Sequence, residues 1–312
     1  MKKVRDTKSP DSVLKRLGQK CVPGQSVQNA QVLFVLERFL ARVAQSRYRD
    51  RLVLKGGILL FLLTRRWNRP TEDLDFLALR IPGLSMDSVL TEILEMDLGD
   101  RLVFLSRQMT SEDIRENTGY PCRRFTVPFT FGTRYSSHIK LDLSFGDPIT
   151  PRPDLIEISP LLTLDDFGGG LVMGYPVQTF LAEKVETLLV RGLATTRAKD
   201  LFDLWVISRT GLKLRLNEIA QALRATADHR ASQVGRSESV LGMDASALQP
   251  SYGNDTNLRK IWDSYVGSRK LVTPLYAEVV SLVQDFIRPM VERALAEGSD
   301  AEWSPALNRW LG

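Results

Sequence analysis

The segment "RPTEDLDFLAL" (Arg69–Leu79) decides how the N-terminal half of this chain is interpreted, because two acidic residues stand one position apart at the start of an apolar run. In a β-strand alternate residues share a face, so Asp73 and Asp75 project together while Leu74 between them enters the core. Like charges on one face repel unless a cation lies between them, and a hard divalent ion such as Mg²⁺ favours carboxylate oxygens. The pair therefore predicts a metal site; the alternative is an exposed strand edge with solvated acids.

The composition of the whole chain limits the class of protein to which it can belong. The chain has 312 residues, enough for one large domain or two unequal ones, and we favour two. Lys and Arg outnumber Asp and Glu by 42 to 37, a mild excess that is compatible with a nucleic-acid partner without requiring one. The cysteines, Cys21 and Cys122, favour neither a disulfide framework nor a zinc site. With no signal-peptide pattern and no apolar run of membrane length, we expect a soluble cytoplasmic protein with no membrane partner.

Periodicity predicts a mixed α and β fold for the N-terminal half. A helix follows the cap residue Ser26, and "LVLKGGILLFLL" indicates a strand, a turn at Gly56-Gly57 and a second helix. After the Asp73 strand we expect a helix in "SMDSVLTEILEMDLG" and then three strands, in "RLVFLSRQ", "CRRFTVPFTF" and "SHIKLDLSFGDP". Pro128 is expected to interrupt the middle strand, because proline cannot donate a hydrogen bond to a β-ladder.

The C-terminal half is predicted to be all-α. Helices are expected in "FLAEKVETLLVRGL" and "RAKDLFDLWVISRTG", and a final helix opens at Thr273-Pro274, with the threonine as cap and the proline in the first turn. Between them, residues 229–257 are rich in Ser, Gly, Asp and Gln, which favours a long loop that could contain short helices. We therefore divide the chain into an N-terminal extension (1–25), an α/β domain (26–165) and a helical domain (166–312).

Two further features strengthen the metal interpretation. Gly56-Gly57, between a strand and a helix, would leave backbone N–H groups free to hold a phosphate, although an ordinary tight turn is the alternative. In "HIKLDLSFGDP" Asp142 alternates with Leu141 and Leu143, which makes it a candidate third carboxylate. A phosphate-binding turn, paired aspartates and a third aspartate on a neighbouring strand are the parts that two-metal phosphoryl or nucleotidyl transfer needs.

These motifs, in this order, resemble the AbiEii-type nucleotidyltransferases, the toxins of type IV toxin–antitoxin and abortive-infection systems. "LVLKGGILLFLL" with "RPTEDLDFLAL" resembles the opening signature of that family, and "IKLDLSFGDP" resembles its following strand. "FLAEKVETLLVRG" and "RAKDLFDLWVI" resemble its two helical motifs, so the matches span Leu52 to Ile207. The resemblance implies an α+β fold, in which an N-terminal mixed sheet with helices, as in polymerase-beta-like nucleotidyltransferases, precedes an all-α C-terminal part.

The resemblance also implies roles for individual residues. The metal ligands would be Asp73 and Asp75, with Asp142 as the third candidate, and the ion would be Mg²⁺ or Mn²⁺. We assign nucleotide binding to Lys55, Gly56, Gly57, Thr71 and Lys184. The catalytic set would be Asp73, Asp75, Lys184, Asp200 and Asp203, with Asp200 and Asp203 as alternatives for the working acid of the helical motif.

Local patterns bear on two of these residues. Lys184 borders an apolar helix face, where its ammonium group needs a partner such as Asp200 or Asp203, or a ligand phosphate; a structural lysine that extends to solvent is the alternative. Thr71 stands two residues before Asp73 and should share its face. A phosphoryl group on Thr71 would add roughly two negative charges beside the nucleotide, so we hypothesise a point of regulation; an ordinary strand-start residue is the alternative.

The predicted function is metal-dependent transfer of a nucleoside monophosphate from an NTP to an RNA acceptor. The resemblance suggests the 3′ end of tRNA as the acceptor, blocked translation as the result and a cognate antitoxin as partner, with or without a stable complex. The alternatives are transfer to a protein or small molecule, and a catalytically idle module that binds RNA or a partner.

A rim of basic residues beside the site would favour an RNA acceptor. The alternative is that these arginines are scattered over the surface, which would not favour RNA. The candidate rim residues are Arg65, Arg66, Arg69, Arg123, Arg124 and Arg134. On the helices, Arg191, Arg197 and Lys199 are expected to be solvated.

Overall fold

The computed structural model describes residues 9–19, 26–66, 69–115, 121–132, 135–158, 167, 169–235, 239–242 and 245–312. The described residues fall into two compact units. The sheet unit lies within 1–62, 70–146 and 154–174, and the helical unit lies within 63–69, 147–153 and 175–312. The domain boundaries predicted from the sequence, at residues 25 and 165, stay a prediction.

The first part of the chain alternates helices with strands. Its helices are α1 (Pro10–Gln19), α2 (Val27–Gln45), α3 (Gly56–Thr64) and α4 (Met86–Leu94). Its strands are β1 (Leu52–Lys55), β2 (Asp73–Ala78), β3 (Leu102–Phe104), β4 (Thr110–Arg115), β5 (Pro121–Phe131), β6 (Tyr135–Ser144), β7 (Asp154–Glu157) and β8 (Leu171–Gly174).

These strands form one mixed sheet in the order β3-β5-β6-β2-β1-β8-β7, with β4 also paired to β5. The β2–β6 and β1–β8 pairs are parallel, and the other neighbouring strands are antiparallel. The acidic strand β2 therefore lies near the middle of the sheet, between β1 and β6. The sequence did not predict β4, β7 or β8.

Helix α2 supplies much of the core of the sheet unit. The hydroxyl of its cap residue Ser26 accepts a hydrogen bond from Asn29 N, as the sequence predicts. The Phe39 side chain on α2 is fully buried, and its ring packs 6.2 Å from that of Phe76 on β2. This packing fixes the apolar face of β2, so that Asp73 and Asp75 must project from the opposite face.

The later part of the chain is mainly helical and ends in a small sheet. Its helices are α5 (Val177–Arg191), α6 (Ala198–Ser208), α7 (Leu216–Gln233), α8 (Pro250–Asn254), α9 (Thr256–Ser268) and α10 (Tyr276–Leu295). The antiparallel strands β9 (Glu302–Ser304) and β10 (Arg309–Leu311) follow α10 and were not predicted. Trp303 and Trp310 of this hairpin pack on Phe286 of α10, with ring centroids 4.7 and 5.9 Å away, so the hairpin covers the helix.

The prediction that Pro128 interrupts its strand is wrong. Strand β5 runs through it, with Pro128 opposite His138 of β6. On the other edge of β5, β4 pairs up to Thr126 and β3 pairs from Phe129. Pro128 therefore lies where the partner of β5 on this edge changes from β4 to β3. Its carbonyl still accepts a hydrogen bond from Leu105 N at 2.8 Å. A missing N–H costs little at this position.

One boundary prediction in the helical half also needs correction. The final helix begins at Tyr276 with Leu275 as its cap residue, so Thr273 and Pro274 precede the helix; Leu275 is still extended, at φ −60° and ψ 150°. Within residues 229–257, the described parts contain the short helices that the sequence allowed, since α7 continues to Gln233, α8 occupies Pro250–Asn254 and α9 begins at Thr256. A few buried side chains, such as Tyr252 at 2% exposure, pack these short helices against the core although the segment is mostly polar.

Candidate active site

Three carboxylates converge on one face of the central sheet. Asp73 and Asp75 project from β2 on the face opposite the buried Leu74, as predicted. Parallel pairing of β2 with β6 places Asp142 directly opposite Asp75. Each of the three side chains offers an oxygen that lies within 4.8 Å of the other two. Three carboxylate oxygens this close form a donor set suited to a hard divalent cation.

The Asp142 carboxylate is also bound by an arginine that sequence reasoning placed in a basic rim. Arg124 on β5 lies opposite Asp142, and its Nε and Nη2 donate to Oδ1 and Oδ2, each at 2.7 Å. The hydrogen bond to Asp142 raises the pKa of Arg124 above its usual value, although partial burial opposes the shift. Register alone would have revealed this pair, because β5 and β6 are consecutive antiparallel strands.

The glycine turn shapes the space for Asp75. Gly56 directly follows β1 and is the first residue of α3, with φ +72°. A β-carbon at this position would lie 1.8 Å from Asp75 Oδ2, so only glycine leaves room for the carboxylate. Gly57 follows in the first turn of α3, where backbone N–H groups have no partner within the helix. Gly56 thus has a role that sequence reasoning missed: it makes room for an aspartate of the acidic group.

Thr71 faces the same cluster, as predicted. Its hydroxyl donates to Asp73 Oδ1 at 3.2 Å, and the side chain is buried, with 5% exposure. Lys55 on β1 lies opposite Asp75 in the β1–β2 register. Five of the predicted nucleotide or metal residues, Lys55, Gly56, Thr71, Asp73 and Asp75, therefore belong to adjoining positions on β1, β2 and the segments that flank them.

A second group of charges lies within the helical unit. Lys184 on α5 contacts two residues of α6, with Nζ 2.6 Å from Asp200 Oδ1 and 3.0 Å from Asp203 Oδ2. Arg69 binds Asp203 through both oxygens, from Nε at 2.7 Å and Nη2 at 3.0 Å. Arg197 Nε lies 2.9 Å from Asp200 Oδ2. Three cations and two anions thus alternate in these contacts between described residues.

Burial and pairing set the protonation of this network. Burial lowers the pKa of Lys184, but Asp200 and Asp203 outweigh it and raise the pKa above its ordinary value. Burial raises the pKa of Asp203, but Arg69 and Lys184 outweigh it and lower the pKa to about 2. Asp200 behaves in the same way, with Lys184 and Arg197 lowering its pKa. At neutral pH the lysine is therefore an ammonium ion and both aspartates are charged.

The contacts of this network bear on what the sequence predicts for Lys184 and Arg197. Lys184 is not extended into solvent, because both aspartates of α6 hold it. The expectation that Arg197 is solvated is wrong, since it pairs with Asp200 one helical turn away, a spacing that the sequence does display. The partner of Asp203 is Arg69, 134 positions away, and no local signal reveals that contact.

Three of the six arginines predicted as a basic rim are engaged in ion pairs. Arg69 and Arg124 bind Asp203 and Asp142, and Arg123 Nη1 lies 2.9 Å from Asp87 Oδ2. Arg65 and Arg66 are exposed, and Arg134 lies outside the described residues. The basic rim as a whole stays a prediction.

The family that this chain matches shows its class: it is a nucleotidyltransferase, and the sheet with its carboxylate group fits that class. More narrowly, the chain belongs to the family of AbiEii nucleotidyltransferase toxins of type IV toxin–antitoxin systems, which it matches over residues 38–303. The predicted family, fold class and enzyme class are confirmed. Family membership implies an antitoxin partner.

Comparison with solved structures shows similarity of fold. The chain is similar to MenT4, a nucleotidyltransferase toxin of Mycobacterium tuberculosis H37Rv, at 16% sequence identity and a TM-score of 0.55, over 96% of this chain and 99% of that one. It is also similar to JHP933 of Helicobacter pylori at 14% identity and a TM-score of 0.46, over 86% and 95% of the two chains. No match is found among curated protein sequences. Among the described residues, no helix combines the length and apolarity needed to cross a membrane.

Proposed function

We propose that this enzyme transfers a nucleoside monophosphate from an NTP to RNA, with the 3′ end of tRNA as acceptor, and that the modified RNA no longer supports translation. The observation that carries the proposal is the carboxylate group of Asp73, Asp75 and Asp142, together with the glycine that makes room for Asp75. An acid pair of this kind on a central strand is unfavourable unless a cation compensates it.

The residues of this group fit a divalent ion such as Mg²⁺ or Mn²⁺. All three donors are carboxylate oxygens, within reach of one another and partly open to solvent. When bound, such ions lower the pKa of an attacking hydroxyl and neutralise a leaving pyrophosphate. Gly56 maintains the group by admitting Asp75, and Thr71 steadies Asp73 through its hydroxyl.

The reaction that we propose is an in-line substitution at the α-phosphorus. An RNA hydroxyl oxygen forms the new bond, the bond from the α-phosphorus to the bridging oxygen of the β-phosphate breaks, and pyrophosphate leaves with that electron pair. The hydroxyl proton passes to solvent. Backbone N–H groups of Gly56 and Gly57, in the first turn of α3, would hold a phosphate.

Within the helical unit, the ammonium group of Lys184 would be available to bind a phosphate. Lys184 stays protonated, and Asp200 and Asp203 fix its ammonium group in position. Both aspartates are almost completely buried and already accept from cations, so we assign them to positioning Lys184 and not to proton transfer. On this proposal the two aspartates act together through the lysine, and neither is a separate working acid.

The choice of RNA rests on family membership, because a toxin needs an acceptor on which growth depends. The test is to incubate the protein with Mg²⁺, total tRNA and each α-labelled NTP in turn. The variant Asp73→Ala/Asp75→Ala removes the acid pair, and Asp154→Ala, an exposed acid on β7 of the same sheet, serves as matched control. Circular dichroism of each variant checks that it is folded.

The expected result is label in tRNA with at least one NTP, lost in the double variant and kept in the Asp154 variant. Label on added protein in place of RNA would overturn the RNA acceptor while keeping the transferase. Label in tRNA that survives loss of both aspartates would overturn the assignment of the site.

A further inference from the structure

Charged residues form a row across five strands of the sheet. Register places Lys55, Asp75, Asp142, Arg124 and Glu112 opposite one another on β1, β2, β6, β5 and β4. Directly paired residues project from the same face of a sheet, so the two aspartates lie side by side with a cationic residue next in the row on either side. Arg124 contacts both oxygens of Asp142.

The Arg124 contact involves a group to which we have assigned metal binding. A guanidinium fork on a carboxylate makes two parallel charge-assisted hydrogen bonds and fixes the plane of the carboxylate. It also cancels one of the three negative charges that a divalent ion would find at Asp73, Asp75 and Asp142. The Arg124 side chain is 29% exposed and that of Asp142 is 14% exposed, so the pair is partly open to solvent.

We propose that Arg124 is the resident counter-cation of the metal site, and that it sets how tightly the site holds a divalent ion by competing with the ion for Asp142. The inference rests on the proposed metal site and assigns it a residue that sets its affinity. The fork stabilises the acidic group in the absence of metal. In the presence of metal, the same positive charge opposes the incoming ion, so the site has a lower affinity than three carboxylates alone would give.

Charge determines whether loss of Arg124 raises or lowers the affinity of the site for a divalent ion. A positive charge a few ångströms from a divalent ion weakens its binding in a partly solvated site, and the effect decreases with added salt. Removing the charge should therefore tighten metal binding. A purely orienting partner behaves in the opposite way, because loss of an outer-shell hydrogen bond weakens metal affinity by about 10- to 100-fold.

The experiment measures the Kd of the full-length protein for Mn²⁺ without nucleotide, from the electron paramagnetic resonance signal of free Mn²⁺, at low and at high KCl. Arg124→Gln and Arg124→Ala remove the charge, and Arg124→Lys keeps the charge but loses the fork. Arg123→Gln is the matched control, since this neighbour projects from the other face and pairs with the exposed Asp87. Asp73→Ala/Asp75→Ala tests the site itself.

We expect the two neutral variants to bind Mn²⁺ about tenfold more tightly than the wild type at low salt, and less so at high salt. Arg124→Lys and Arg123→Gln should stay within about twofold of the wild type. Unchanged or weaker binding in the neutral variants would overturn the proposal, as would tightening by Arg124→Lys equal to that by Arg124→Gln. If Mn²⁺ binding does not depend on Asp73 and Asp75, the metal site fails, and the inference fails with it.

Discussion

The carboxylate of Asp75 occupies the space that a β-carbon on Gly56 would need, with Oδ2 1.8 Å from that position. Two features thus require glycine at position 56: the positive φ of its backbone and the carboxylate of Asp75 on the neighbouring strand. A glycine that sequence motifs associate with nucleotide binding is here a condition for the geometry of the acidic group.

Replacing Gly56 by alanine should displace Asp75 and remove transferase activity. The positive φ costs about 1–2 kcal/mol with a side chain, and the clash requires movement of a carboxylate, for which a shift near 1 Å can cost roughly 100-fold in rate. Gly83→Ala is the matched control, because Gly83 has φ +77° and no atom within 4 Å of its added β-carbon. Activity and Mn²⁺ affinity should decrease only in the Gly56 variant. An equal loss in both variants would assign the effect to backbone strain.

Thr71→Glu should abolish transfer while Thr71→Val retains most of it. The hydroxyl of Thr71 lies 3.2 Å from Asp73 Oδ1, so a carboxylate in its place adds a negative charge beside the acid pair. NTP binding and labelled-NTP transfer measure the effect, with thermal melting to exclude unfolding of this buried position. Full activity in Thr71→Glu would dismiss Thr71 as a point of regulation by charge.

The sequence predicts the acidic strand well because a period of two determines which residues share a face. Asp73 and Asp75 could be placed from alternation alone, and Asp142 from the same pattern in β6. The pairing of Asp75 with Asp142 depends on β2 and β6 being parallel neighbours, although 66 residues separate the two aspartates, and the order of strands is a property of the whole sheet.

The parts that sequence reasoning missed have physical reasons. Strand β7 has only four residues and three of them are exposed, so no alternation marks it. The Arg69–Asp203 contact joins residues 134 positions apart, and periodicity carries no information about it. Arg124 and Arg197, by contrast, face their partners across an antiparallel pair and along one helical turn, so rules of register and spacing were sufficient to find them.

Removing the buried charge of Asp100 should destabilise the sheet unit without affecting the chemistry. Asp100 is 1% exposed and accepts from Arg42 Nη1 and Nη2 at 2.8 and 2.9 Å and from Arg38 Nε at 2.9 Å. Burial raises the pKa of Asp100, but the two arginines outweigh it and lower the pKa below its usual value.

Asp100→Ala leaves two buried guanidinium groups without this anion, for which we expect a loss of about 3–5 kcal/mol in the free energy of unfolding in urea. Glu92→Ala, which breaks the exposed Arg47–Glu92 pair, should cost at most about 1 kcal/mol. The activity of the folded fraction should equal that of the wild type at a temperature where both are folded. A loss of under 1 kcal/mol for Asp100→Ala would mean that the arginines find other partners.

The charge of Asp203 should make stability depend on pH below about 4. Its pKa in the folded protein is about 2, against an ordinary value of 3.8, so the folded state binds its proton less readily than the unfolded state does. Stability from this group is fully present above the ordinary pKa and is lost as pH falls through 3.8 towards 2. A shift of this size corresponds to about 2 kcal/mol.

The measurement compares urea unfolding of the wild type with that of Asp203→Asn from pH 5 to pH 2.5. Asparagine cannot titrate, so the difference in unfolding free energy between the two proteins should shrink by about 1–2 kcal/mol as the pH decreases, because protonated Asp203 resembles the amide. Asp50→Asn, which replaces an acid in an exposed pair with Arg49, is the matched control at the surface. A constant difference for Asp203→Asn would mean that Arg69 and Lys184 do not hold a charged Asp203, and the network could not then fix Lys184 through it.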